Sequence, residues 1–267
     1  MSVSTTSRTA LVTGASAGIG AAFARHLAAQ GNDVVLVARR EDRLVTLAEE
    51  LGRGYGVTAT VIAADLNDPA GPRAIVDQCA SQDIDIDILI NNAGFSGNGS
   101  FAETPFDDLA REIQVMVTAV TELAHLVVPG MKQRQYGRIV NVSSLAALLP
   151  PGASLLYTAI KSYVLNLSQA LDMELKPDGV HVTALCPGFT HSEFHDVMGT
   201  RNAASTKLPG LLWQSAEDVV REGWDAVEAG KPVCVPGAVN KITAAAARPI
   251  PTRLGYVLGK KFNPFQD

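Results

Sequence analysis

The sequence predicts an α/β protein, a single doubly wound domain over residues 1–267 with a seven-stranded, mainly parallel sheet and helices on both faces. Three observations carry this. Short aliphatic runs alternate with longer helical patterns almost from the first residue. The short runs are apolar on both faces, as strands covered by helices on each side must be. Between the first run and the first helical pattern stands a glycine-rich turn, "TGASAGIG", at Thr13–Gly20.

In order, "TALVTG" is the first strand and "GIGAAFARHLAAQG" the first helix, closed by Gly31. "DVVLVA" is a second strand, "EDRLVTLAEELGRG" a helix, "VTATVIAAD" a third strand, "PAGPRAIVDQCASQ" a helix and "IDILINNAG" a fourth strand. Thr104-Pro105 opens a long helix, with Thr as cap, Pro in the first turn, and Asp107 and Asp108 at the positive end. Pro129-Gly130 is expected to stop it near Val128. "GRIVNVSS" is a fifth strand, "SLLYTAIKSYVLNLSQALDMEL" a second long helix and "VHVTALCPG" a sixth strand. An irregular stretch, expected as a lid over residues 189–213, precedes the helix "SAEDVVREGWDAVEAG" and a last strand, "KPVCVP". Residues 238–267 read as a basic C-terminal extension.

Hydrophobic residues make up 47% of the 267 and charged residues 18%, enough for a buried core. A net charge of −5 argues against a nucleic-acid partner. From Lys231 onward six basic residues face one acid, Asp267. That tail reads either as a solvated, weakly ordered terminus or as a weak contact to a membrane surface. Three widely spaced cysteines (Cys79, Cys186, Cys234), no leader-like apolar segment and no unbroken membrane-spanning run lead to the expectation of a cytoplasmic protein.

The turn at Thr13–Gly20 has two meanings. "GASAG" satisfies the G-x-S-x-G pattern of a hydrolase nucleophile elbow, with Ser16 as nucleophile. Only 15 residues precede Ser16, too few for the strands that build an oxyanion loop, although His125, His181, His191 and His195 follow it. The other meaning is a diphosphate cradle, in which a helix N-terminus and bare backbone N–H groups face a dinucleotide.

The remaining motifs decide. T-G-x-x-x-G-x-G at Thr13–Gly20, N-N-A-G at Asn91–Gly94, Ser144, Y-x-x-x-K at Tyr157–Lys161 and Pro187-Gly188 follow one another in a set order. In that order and spacing the chain, from about Arg8 to Pro236, resembles the short-chain dehydrogenase/reductase superfamily, with its Rossmann fold. The resemblance implies an oxidoreductase that moves a hydride between a nicotinamide and a carbonyl or secondary alcohol. Tyr157 is implied as proton donor or acceptor, Ser144 as the hydroxyl that orients substrate, and Lys161 as the residue that tunes Tyr157 and bonds the nicotinamide ribose. A nearby ammonium is expected to lower the phenol's pKa. Ser143 fits the spacing to Tyr157 less well than Ser144.

The resemblance further assigns Thr13, Gly14, Ser16, Ala17, Gly18, Ile19 and Gly20 to the diphosphate, Asp65 and Leu66 to the adenine, and Asn91, Ala93 and Gly94 to the ribose side. Tyr157, Lys161, Pro187, Gly188, Thr190 and Ser192 are assigned to the nicotinamide side. At the end of the second strand, where a carboxylate would select NAD, the chain has Arg39 and Arg40. Two guanidiniums beside a helix N-terminus oppose its dipole unless an anion joins them, which points to the 2′-phosphate of NADP(H), with Arg39 as main contact. Surface arginines balanced by Glu41 and Asp42 are the plainer reading.

Where the family carries an Asn in its long helix, this chain has Met116. That Asn is thought to kink the helix and let a carbonyl hold a proton-relaying water, so its loss leaves open a non-catalytic NADP(H)-binding redox sensor or interaction protein. His191 and His195, four apart, lack the Glu of a zincin motif, and no metal is expected. Phe95, Phe189, Phe194 and Met198, with Ser144, are expected to line a moderately hydrophobic substrate pocket, or to be core. The long helices near 105–128 and 154–176 are those through which the superfamily forms dimers and tetramers.

Overall fold

The apolar runs do become the centre of the molecule. The computed structural model describes residues 7–97, 100–150, 156–191 and 213–247. The elements are β1 (Thr9–Thr13), α1 (Gly18–Ala29), β2 (Asp33–Ala38), α2 (Glu41–Tyr55), β3 (Ala59–Ala63), α3 (Gly71–Ser81) and β4 (Ile88–Asn91). Next come α4 (Phe106–Ile113), a π-helical turn (Gln114–Thr118), α5 (Ala119–Gln133), β5 (Gly137–Val142) and a 3-10 turn (Leu145–Leu148). Then follow α6 (Tyr157–Leu175), β6 (Val180–Leu185), β7 (Phe189–Thr190), β8 (Trp213–Gln214), α7 (Ala216–Glu228), β9 (Val233–Cys234) and α8 (Ala238–Ala247).

Seven strands form one sheet in the order β3-β2-β1-β4-β5-β6-β9, and every neighbouring pair is parallel. On one face Phe23 and Leu27 of α1, Leu44 and Leu51 of α2, and Val219 and Trp224 of α7 pack on Val12, Leu36 and Ile90. On the other, Ile75 of α3, Leu123 and Met131 of α5, and Ile160 of α6 cover Leu11, Leu89 and Ile139. Burying such a side chain stabilises by about 1.5–3 kcal/mol, so each strand residue that alternates between the faces holds one helix layer in place. The strand order reverses between β1 and β4, and at such a crevice the carboxyl ends of an α/β sheet bind ligands.

The structure departs from the sequence reading in several places. Pro129 lies inside α5, and the helix runs on to Gln133. Fully buried Met131 supplies core packing that outweighs the one lost backbone bond. Thr104 does not cap α4: its hydroxyl donates to Ser100 O (2.8 Å) and Pro105 takes the cap position, while Asp107 and Asp108 do occupy the first turn. Within the expected extension, residues 238–247 form α8. Most of the expected lid, with Ser192, Phe194, His195 and Met198, lies outside the described residues. Phe106–Gln133 is long and apolar enough to cross a membrane by composition, at a mean hydropathy of 1.4, but Val115, Leu123, Ala124 and Met131 sit in the core.

Candidate active site

The turn after β1 is built for close approach. Gly14 and Gly18 have φ of 65° and 54°, the left-handed region that glycine enters without strain. At Gly20 a Cβ would lie 2.3 Å from Gly14 O, so α1 starts hard against the turn. Helix α1 has no side-chain cap and no acid in its first turn, which leaves its N–H groups available to an anion. Thr13 is spent on architecture: its Oγ1 donates to Ile90 O and accepts from the N–H groups of Asn92 (2.9 Å) and Ala93 (3.1 Å), tying β1 to β4 at the crevice.

Across the crevice, β5 ends at Ser143 and Ser144. Ser143 is buried and donates to Lys161 O (2.7 Å). Ser144 caps the 3-10 turn, accepting from Ala146 N (3.2 Å), and shares a hydrogen bond with Tyr157. The structure therefore brings together Ser144, Tyr157 and Lys161, with Ser143 as the brace beneath them. Lys161, only 6% exposed, donates to Val142 O (2.9 Å), and its Nζ stands 5.6 Å from the centre of the Tyr157 ring.

The electrostatics differ from the expectation. Burial pushes the Tyr157 phenol above its ordinary value, and the hydrogen bond with Ser144 offsets this only in part. Burial also holds the Lys161 ammonium down at about 8. The ammonium bonds a carbonyl rather than the phenol, so desolvation outweighs the lowering that the Tyr–Lys spacing predicts. Tyr157 is thus held protonated at neutral pH while Lys161 remains largely charged. Cys186 lies beneath them at the end of β6, its thiol pushed up to about 12 by burial and so inert.

Met116 sits inside the π-helical turn, so the wide turn forms without an Asn. Its thioether fills the wall beside Lys161. A Cβ placed on Gly94 would meet Met116 Sδ at 3.1 Å and Lys161 Nζ at 3.7 Å.

At the end of β2 the arginines divide. Arg40 reaches back across the turn, its Nη2 donating to Ser16 Oγ (2.9 Å), whereas Arg39 has an exposed side chain. Of the two, Arg40 is the one bonded to the glycine turn. Asp65 is exposed and accepts from Asn67 N (2.9 Å), and Leu66 is buried in the second core. The Asn91 side chain is committed to the interior: its Nδ2 donates to Asn141 Oδ1 (2.9 Å) and Val120 O (3.3 Å). Pro187 O accepts from Leu145 N (2.8 Å), and Thr190 Oγ1 donates to Gly188 O (3.2 Å). Phe95 and Phe189 are half-buried, and Phe189 packs against Trp213, which also stacks on the His191 ring.

Sequence reasoning missed four structural residues. Asn92 Nδ2 donates to Thr13 O (3.0 Å) and Gly14 O (3.3 Å), holding the cradle from behind. Asn141 and Ser168 carry the Asn91 network into α6 (2.9 Å). A polar residue amid the apolar run "GRIVNV" was the available signal for Asn141. Glu112, buried, accepts from Gly97 N (2.8 Å) and braces the loop after β4.

Comparison with known proteins agrees with this geometry. The family model for short chain dehydrogenases matches residues 8–202. The ketoacyl reductase HetN of Nostoc sp. is 35% identical over 208 residues, 77% of this chain and 71% of that protein. A short-chain dehydrogenase from Sphingobium yanoikuyae, solved in complex with NADPH, superposes with a TM-score of 0.79 at 36% identity, covering 90% of this chain and 93% of that one. The bulky-bulky ketone specific alcohol dehydrogenase from Comamonas testosteroni gives 0.76 at 33% identity, covering 90% and 92%. A reversed crevice with a glycine turn on one side and a Ser–Tyr–Lys cluster on the other, matched across most of the chain, makes this protein a member of the short-chain dehydrogenase family of oxidoreductases.

Proposed function

We propose that the protein is an NADP(H)-dependent carbonyl reductase that works through Ser144, Tyr157 and Lys161. The observation that carries this reading is the hydrogen-bonded Ser144–Tyr157 pair beside the buried Lys161 ammonium, at the crevice where β1 and β4 part. The uncapped α1 N-terminus and the glycine turn fit a diphosphate. Backbone of Thr13, Gly14, Ala17, Gly18, Ile19 and Gly20 would hold it, with Ser16, Arg40 and Arg39 at a 2′-phosphate. Asp65 and Leu66 would border the adenine, Asn91, Ala93 and Gly94 the ribose, and Pro187, Gly188 and Thr190 the nicotinamide side. NADPH complexes among the structural neighbours support the same cofactor. When bound, the cofactor supplies the hydride.

The chain's own residues supply the rest. Ser144 donates to the substrate carbonyl and orients it, and Tyr157 delivers its proton to that oxygen as charge develops there. A phenol held protonated by burial suits donation, and therefore reduction. Lys161, its Nζ 5.6 Å from the Tyr157 ring centre, would place its positive charge near the phenolate left behind and would hold the ribose from beside Gly94. Ketone-acting relatives support a ketone as substrate class. The superfamily's habit of pairing through its long helices extends the reading to a homodimer or homotetramer. A groove lined by Val117 of the π-helical turn, Thr121 and His125 of α5, and Tyr163 of α6 lies on that face. With its cysteines reduced and buried, the protein reads as cytoplasmic.

A panel of ketones and aldehydes with NADPH tests the reading, and Tyr157→Phe should lower turnover at least ~100-fold while cofactor binding persists. The buried thioether of Met116 favours the second reading, a non-catalytic NADP(H)-binding protein. Tight NADPH binding with no consumption across the panel would select it. Arg40→Ala and Arg39→Ala should each raise KM for NADPH and leave that for NADH unchanged. A preference of the native protein for NADH would overturn the cofactor assignment.

A further inference from the structure

Helix α8 lies beyond the residues matched by the family model, and one buried polar side chain joins it to the turn after β6. Asn240, 5% exposed, presses its amide against the α-carbon of Gly188: a Cβ there would lie 2.6 Å from Nδ2, 2.6 Å from Oδ1 and 2.8 Å from Cγ. The same amide faces that of Gln214 on β8 at 2.8 Å and donates to Pro236 O at 2.9 Å. The start of α8 is itself anchored on α7, because Glu222 accepts from Gly237 N (2.9 Å) and from Lys241 Nζ (2.7 Å). Helix α8 also packs on the 3-10 turn that Ser144 caps. One side chain thus meets the Pro187–Thr190 turn, β8 and the strand-to-helix bend at Pro236.

We propose that Asn240 is a positioning residue for the nicotinamide half of the cofactor, acting through the Pro187–Thr190 turn. The proposal rests on the NADP(H) reading above. Gly188 has no side chain because the Asn240 amide occupies that space. The amide is held in place, since moving it abandons a buried hydrogen bond to Pro236 O and its contact with the Gln214 amide. The turn is therefore backed by a rigid polar wall from the C-terminal helix, and its backbone groups are held at the height the nicotinamide needs.

The test compares two probes by calorimetry: NADPH, which fills the whole site, and 2′,5′-ADP, which fills only the adenine half. Asn240→Ala should weaken NADPH about tenfold, the effect of one lost buried hydrogen bond, and leave 2′,5′-ADP within about twofold. Gly188→Ala should cost NADPH about tenfold in the native background but less than about twofold in the Asn240→Ala background, because the methyl then enters vacated space. Equal weakening of both probes by Asn240→Ala would mean general destabilisation and overturn the proposal, as would no weakening of NADPH. Equal costs of Gly188→Ala in both backgrounds would overturn it too. Failure of the native protein to bind either probe would instead remove the cofactor reading and the proposal with it.

Discussion

Replacing Gly20 with alanine puts the construction of the cradle to a quantitative test. The new methyl would stand 2.3 Å from Gly14 O and 2.5 Å from Asn92 Nδ2. Ordinary contact begins at 3.4 Å, so the turn must open by about 1 Å. The obstacle is backbone, and Asn92 holds that backbone with two hydrogen bonds, so neither neighbour yields cheaply. Overpacking of this kind costs about 1–3 kcal/mol. At ~2–4 °C per kcal/mol for a chain of this size, Tm should fall by roughly 2–12 °C. The displaced N–H groups should also weaken NADPH about tenfold or more. Gly52→Ala is the control. It adds the same methyl inside α2, where the nearest atom is Val57 O at 3.7 Å, and should stabilise by about 0.5–1 kcal/mol through helix propensity alone. Scanning calorimetry with and without NADPH reads both. A Gly20→Ala protein that melts at or above the native temperature and binds NADPH unchanged would refute the close packing of turn and helix.

Further outcomes follow from the buried groups. The Lys161 ammonium is the form that stabilises the phenolate, so reduction should be steady below pH 8 and fall as pH rises through about 8. Lys161→Arg keeps its charge beyond that range, and its pH–rate profile should lose the alkaline fall while its rate drops; an unchanged limb would exclude Lys161 as its origin. Burial raises the Glu112 carboxyl above its ordinary value, so its charged form destabilises the fold once pH exceeds the normal carboxylate range. Glu112→Gln should therefore gain Tm relative to the native protein at pH 8 but not at pH 3, and a gain that is the same at both would contradict this. Asn141→Ala removes the partner of Asn91 and Ser168 and should cost about 1–3 kcal/mol in chemical denaturation without moving KM for NADPH.

Much of the molecule was legible because it is written in short-range patterns. Runs such as "DVVLVA", apolar on both faces, admit few placements other than a covered parallel strand, and β2 duly spans Asp33–Ala38. Ser215 before "AEDVV" caps its helix as such a residue should, accepting from Asp218 N (3.0 Å). The spacing of Tyr157 and Lys161 needs only one turn of helix to put both on one face. Less legible were features that depend on what lies across space. Pro129 reads as a stop until Met131 beyond it is found in the core. The N-N-A-G motif does not disclose that the Asn91 amide is taken by Asn141, fifty residues on.

The sequence by itself determined the layered α/β architecture, the glycine turn, and the Ser–Tyr–Lys set, because each is an arrangement of neighbours along the chain. Only the tertiary structure decided what the residues beside them do. Ser143, next to Ser144, braces Lys161, and Arg40 bonds Ser16 of the glycine turn while the Arg39 side chain is exposed. It also decided the protonation of the site. Identical residues at identical spacing would give an acidic phenol if the ammonium faced it. Here the ammonium is bonded to Val142 O and burial acts on both groups, a difference of position and solvent exposure that no linear spacing encodes.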